Sequence, residues 1–283
     1  MSANVQNTDK AEKRAGVVKY LSFFRMKFIS GLQYRAAAIA GIATQFAWGF
    51  MDILIYSAFA RSDPSSLPMP MEALTSYIWM RQAFLGLFMA WYFDAELIDM
   101  ISSGNVAYEL CRPADIYGMW FAKTAATRTS RAVLRCFPIL LVAFFLPHGF
   151  AMNPPASAAA GALFALSLIL GFLCVISFGM LVYISTFYTV SSNGLRLILV
   201  NIVSFTSGEL IPLPFFPDAA RRVLELSPFA AMQSTPYMIW GGVMAGKEAL
   251  FFIGLQLFWF AVMTVAGKLW MKRALVRVVV QGA

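Results

Sequence analysis

Apolar runs about as long as a bilayer is thick recur along the whole chain, and this limits the fold more than any other feature. They cover roughly residues 36–60, 74–93, 132–146, 156–188, 197 onward and 249–269. About 20 apolar residues in a helix cross a hydrocarbon core of roughly 30 Å. Apolar residues make up 60% of the chain and charged ones 13%, about half the charge of a soluble domain. The expectation is an all-α membrane protein of six transmembrane helices, built as one domain over residues 1–283. Residues 1–16 form a polar, disordered lead, and residues 36–270 form the six-span core. The first apolar run starts too late and runs too long for a cleaved signal segment.

The net charge of +8 is unevenly placed. Lys10, Lys13, Arg14, Lys19, Arg25, Lys27 and Arg35 precede the first run. Arg112, Lys123, Arg128, Arg131 and Arg135 fall between the second and third, and Lys268, Lys272, Arg273 and Arg277 follow the last. The alternate connections carry few cations. This asymmetry places both termini in the cytoplasm and makes the number of spans even. The basic excess is therefore a topology signal, and no nucleic-acid partner is expected.

Residues 17–34 mix Phe23, Phe24, Phe28, Ile29 and Leu32 with Lys19, Arg25 and Lys27. That is too charged to span and predicts an amphipathic helix in the inner interface, in contact with membrane lipid. The fifth apolar run is interrupted by Ser207, Gly208 and Glu209 and then by Pro212, Pro214 and Pro217. Pro228, Pro236, Gly241 and Gly242 punctuate the apolar stretch beyond it. Prolines at this density end helices, so residues 209–246 are expected to form short re-entrant or interfacial helices on the outer side. Irregular backbone at that depth needs protein or a water-filled cavity around it.

Catalytic signatures are missing. One histidine, His148, sits in a turn, and Cys111, Cys136 and Cys174 have no metal-site spacing. Gly241 to Lys247 has the spacing of a phosphate-binding loop, but Glu248 stands where a Ser or Thr would hold magnesium. No cofactor or metal is expected on this chain. Asp52 and Arg81 are the ionisable residues deepest in apolar runs. Such residues face the protein interior or a cavity, so they form either an internal packing pair or part of a path, with Gln45, Asn201 and Glu209 as weaker candidates.

The polar connection after the second run carries Asp94, Glu96, Asp99 and Glu109 beside Arg112. Asp94, Leu97, Ile98 and Ile101 have helical spacing, so a short amphipathic helix should run to Ser103, where Gly104 can stop it. A second turn over residues 105–110 should end at Arg112 and Pro113. A helix–glycine–helix with an acidic surface suits docking onto a soluble protein.

Here the sequence resembles a known family. Gly104, Val106, Leu110, Arg112 and Pro113 match the Gly-x-[Ile/Val]-x-x-x-Leu-x-Arg-Pro segment of the permease subunits of type-2 ATP-binding-cassette (ABC) exporters. Ser207, Gly208, Leu210, Ile211, Pro212 and Leu213 resemble that family's re-entrant element, with Phe216, Pro217, Ser227, Pro228 and Phe229 beyond. Glu209 departs from the small or apolar residue expected there. The resemblance implies a permease in a bacterial inner (plasma) membrane, paired with a second permease chain, identical or related. Two copies of an ABC ATPase would bind ATP and Mg and grip the loop containing Asp94 to Pro113. A lipid-acting membrane enzyme and a proton-coupled secondary transporter working through Asp52 are the alternatives.

Overall fold

A computed structural model describes residues 18–63, 65, 67–111, 114–189 and 192–276, and among these every regular element is helical. Helix α1 covers 18–31, and α2 (Arg35–Ser62) follows it. Next come α3 (Met71–Ala83), α4 (Leu85–Phe88), α5 (Ala95–Ser102) and α6 (Val106–Leu110). The long helices α7 (Ile116–Phe145) and α8 (Ala158–Ser185) lead to α9 (Ser192–Thr206). Three short helices, α10 (Asp218–Glu225), α11 (Pro228–Met232) and α12 (Ser234–Trp240), precede α13 (Gly246–Leu275).

Among the described residues, three stretches are long and apolar enough to cross a membrane: Arg35–Ser62, Ala158–Tyr188 and Gly246–Leu275. The remaining expected spans take other forms. The second run is not one helix, because α3 stops at Ala83 and the chain bends at Phe84 before α4. Gly86 accounts for the close approach here: a Cβ on it would lie 2.8 Å from the Ala132 backbone nitrogen of α7. The third apolar run is short enough to imply a helix that starts ahead of it, near Thr124, and α7 starts earlier still, at Ile116, where the Asp115 side chain caps it by accepting from the Gly118 amide. Residues 116–131 are therefore helix rather than connection. Helix α9 has 15 residues, about 22 Å of rise, and is shorter than a bilayer core.

Leu54, Phe59, Ile198, Phe205, Phe258 and Val265 lie on exposed faces of α2, α9 and α13. A continuous apolar exterior on this scale belongs in lipid or against another chain. Inside, one core gathers Tyr77, Trp79, Phe88 and Tyr237 around α3, and a second gathers Leu97, Trp120, Tyr183 and Met271 around α5. Two indoles tie the connection after α7 into the first core: Trp79 Nε1 donates to the Phe150 carbonyl at 2.7 Å, and Trp240 Nε1 to that of Asn153 at 2.9 Å.

Helices α11 and α12 are buried, against α8, α3 and α13. Their short length leaves backbone groups that need outside partners. Gln256 supplies one from the middle of α13. Its Nε2 donates to the carbonyls of Ala231 (2.8 Å) and Ser167 (3.1 Å), and its Oε1 accepts from Ser167 Oγ. Gly171 lets the chains approach, since a Cβ there would lie 2.5 Å from the Met232 carbonyl oxygen. Gln256→Leu is expected to cost about 2 kcal/mol, from three lost bonds inside an apolar bundle. The melting temperature of the detergent-solubilised protein would show the loss, while Leu257→Ala, on an exposed face, should change it little.

Candidate functional site

Three segments distant in sequence meet at one buried ionic junction. Arg81, on the last turn of α3, pairs with Asp52 of α2 and donates a second hydrogen bond, at 2.5 Å, to the Glu209 carbonyl after α9. Glu209 is buried, and its Oε2 accepts from Ser204 Oγ at 2.8 Å while Oε1 has no partner among the described residues. Tyr77 Oη donates to the Gly208 carbonyl at 2.7 Å. Gly208 has φ +82°, the left-handed region, and a Cβ there would lie 2.5 Å from the Tyr77 hydroxyl. Glycine is required on both counts. The guanidinium thus holds a helix end, a helix middle and a turn in one place. Asn201 does not join them; it is exposed on α9 and bonds to the Leu197 carbonyl.

The bend between α3 and α4 and the end of α4 at Phe88 both leave carbonyls without a helical donor, and one side chain serves each place. Gln45 Nε2, from α2, donates to the Gln82 carbonyl at 2.8 Å. Arg128, from α7, donates to the carbonyls of Leu87 (2.9 Å), Met89 (3.0 Å) and Tyr92 (2.9 Å). A planar guanidinium with five donors suits several acceptors at once.

At the other end of the bundle, α5 and α6 form the anticipated helix–glycine–helix. Asp94 caps α5 by accepting from the Glu96 amide at 3.0 Å. Leu97, Ile98 and Ile101 bury one face. Gly104 turns the chain with φ +75°, and Val106 is buried behind it. Lys123 of α7 lies between two carboxylates, 3.0 Å from Asp94 and 2.5 Å from Glu96, and Lys27 of α1 is 3.9 Å from Glu96. The hydrogen bond from Lys123 holds the Glu96 carboxyl below the usual carboxylate range. Asp94 and Glu96 therefore fasten α5 to α7, and much of the expected acidic surface is neutralised within the chain. Asp99 remains on the exposed side, with Ser102, Asn105 and Tyr108. Tyr108 is 77% exposed and Leu110 48%. Arg112 and Pro113 lie outside the described residues. Gly104→Ala is expected to cost roughly 1–2 kcal/mol through left-handed strain, with Gly104→Asn recovering part of it in the same thermal melt.

The proline-rich segment is organised around its caps. Pro212 precedes a 3₁₀ turn at Leu213–Phe215, and Pro217 precedes α10. Pro228 occupies the first turn of α11, where Ser227 Oγ accepts from the amides of Phe229 and Ala230. Sequence reasoning missed three residues that matter here. Arg128 reads only as one more topological cation, Gln256 draws no notice within its apolar run, and Tyr108 lies in the expected second turn without being singled out. The signal available for Tyr108 was its place, two residues past the apolar Val106 on the opposite side of a helical turn.

A helical bundle with long apolar helices and a broad apolar exterior is a membrane protein by class. The model of the ABC-2 family transporter proteins matches residues 71–282, from the start of α3 onward. The chain belongs to that family, so it is a membrane-embedded permease component of an ABC transporter rather than a catalytic enzyme, and the family implies association with an ABC ATPase. No curated protein matches it.

Proposed function

We propose that this chain is one half of the translocation core of an ATP-driven exporter, coupled to separate ATPase subunits through α5, Gly104 and α6. The observation that carries the reading is the seating of that element. Asp94 and Glu96 lock it to α7 through Lys123, while Tyr108, Leu110 and Asp99 face outward. Exposed tyrosine beside an exposed aliphatic side chain is the composition of an interface anchor.

In this reading two permease chains, identical or related, pair in a bacterial inner membrane with both termini in the cytoplasm. Six crossings are counted by taking α3–α4 as one bent span, α7 as another, and α9 as a short span whose outer end is completed by residues 209–246. Two ATPase copies hold ATP and Mg, and their closure moves α5 and the helices beneath it to drive substrate outward. Gln45, Asp52, Arg81 and Glu209 line the path or set its walls.

Tyr108→Ala is expected to weaken ATPase association by at least tenfold, the order of an interface anchor, without lowering the melting temperature of the isolated chain. Titration of the reconstituted permease with its ATPase, read as binding and as transport-stimulated ATP hydrolysis, measures it. Unchanged binding in Tyr108→Ala and in Leu110→Ala would remove this element from the interface.

A further inference from the structure

A cavity of about 280 Å³ opens between the end of α1, the start of α2 and the middle of α7. Its walls carry Tyr34, Thr127, Ser130, Arg131 and Arg135. Arg131 and Arg135 stand four residues apart on α7, a spacing that places like charges on one helix face and destabilises it. Neither has a carboxylate partner among the described residues. Arg131 lies over the Tyr92 ring, 3.8 Å from its centroid. Arg135 makes a long hydrogen bond, 3.5 Å to the Ala37 carbonyl, and its buried Nε has no acceptor among the described residues. The other cations of this region are satisfied: Arg128 by three carbonyls, Lys123 by two carboxylates. Two guanidinium groups are thus held at a cavity with donor capacity left over.

We infer that this cavity binds the phosphate of an anionic phospholipid headgroup, with Arg131 and Arg135 as its two cationic contacts. A free phosphate shares that chemistry, but the surroundings favour a lipid. Helical spacing carries the same side of α7 outward from Leu134 and Arg135 to Leu141 and Val142 seven residues on, both exposed, and Ile39 is exposed across on α2. Cationic groups at one end and bare apolar side chains at the other fit a headgroup and its acyl chains. Arginines beside a membrane surface attract anionic lipid in this way. The site takes its leaflet, the inner one, from the proposed topology. Its lipid binding requires no ATPase, so its failure would leave the permease reading standing.

The test uses the full chain in neutral detergent micelles and follows its melting temperature as phosphatidylglycerol, phosphatidylcholine or inorganic phosphate is added. Native mass spectrometry counts the retained lipid. The expected result is a saturable rise with phosphatidylglycerol and none with the other two. In R131Q/R135Q the half-saturation point should move up about thirtyfold, the factor two surface charges supply. Tyr34→Asp sets a carboxylate at the mouth and leaves both arginines in place. It should weaken binding in the same direction, which keeps the test available if the double variant does not fold. Matching dose responses in wild type and Tyr34→Asp, or an equal rise with phosphatidylcholine, would overturn the site. A full response to inorganic phosphate would overturn the lipid assignment and make the ligand a soluble phosphate.

Discussion

Arg81→Met is expected to destabilise the protein by about 3 kcal/mol, the low end of the cost of leaving one partner of a buried pair uncompensated, because Asp52 is only partly buried. The variant strands the Asp52 carboxylate and removes the donor from the Glu209 carbonyl. Asp52→Asn combined with Arg81→Met should be appreciably more stable than Arg81→Met alone, because the buried charge is gone. A double-mutant cycle on melting temperature measures the coupling. The same double variant also separates structure from transport. If the pair only fixes α2 against α3, restored stability should bring restored transport. If the pair lines the path, transport should stay low in a protein that folds.

Arg128→Met should be as damaging for a different reason. Three carbonyls, of Leu87, Met89 and Tyr92, lose their donor together. Each buried group left unsatisfied costs about 1–3 kcal/mol, offset in part by no longer burying a charge. The net loss is about 3 kcal/mol on the same principles. Arg128→Lys should recover only part of it, because an ammonium is a point donor that cannot span three acceptors. Thermal unfolding in detergent would show the order wild type, Lys, Met. Equal melting temperatures for Lys and wild type would mean that charge, rather than the planar array of donors, holds the end of α4.

The parts of this fold that were legible in the sequence are those with a local cause. The period of Leu97, Ile98 and Ile101, closed by Gly104, defines α5 and its turn before any tertiary contact is known. The prolines from Pro212 to Pro236 sit just before or in the first turns of short helices, where a missing amide costs least, and this spacing keeps α10 to α12 short. Asp52 and Arg81 stood out as ionisable residues in apolar runs, which left pairing and path both open; the structure pairs them directly.

The features that were not legible depend on partners far along the chain. Nothing local ends α3 at Ala83: the apolar Phe84 and Leu85 follow it and no proline intervenes. The bend lies where Gly86 meets the α7 backbone and where Gln45 takes the Gln82 carbonyl, and Arg128 then collects the carbonyls beyond the end of α4. Asp94 and Glu96 look like a solvated acidic face until Lys123, 27 residues beyond Glu96, comes back to them. The short third run shows that α7 starts ahead of it, near Thr124, but its reach back to Ile116 is hidden because that first half mixes polar and apolar residues and packs against protein.

The junction at Arg81 also bears on where the functional unit begins. The family model starts at residue 71, yet Asp52 and Gln45, which neutralise Arg81 and cap Gln82, sit on α2 before that point. A chain trimmed to the matched stretch would keep the arginine and lose its counter-ion, and would keep the bend and lose the donor to its Gln82 carbonyl. The stretch that defines membership of the family is therefore not a self-sufficient module, and the helix ahead of it belongs to the same electrostatic unit.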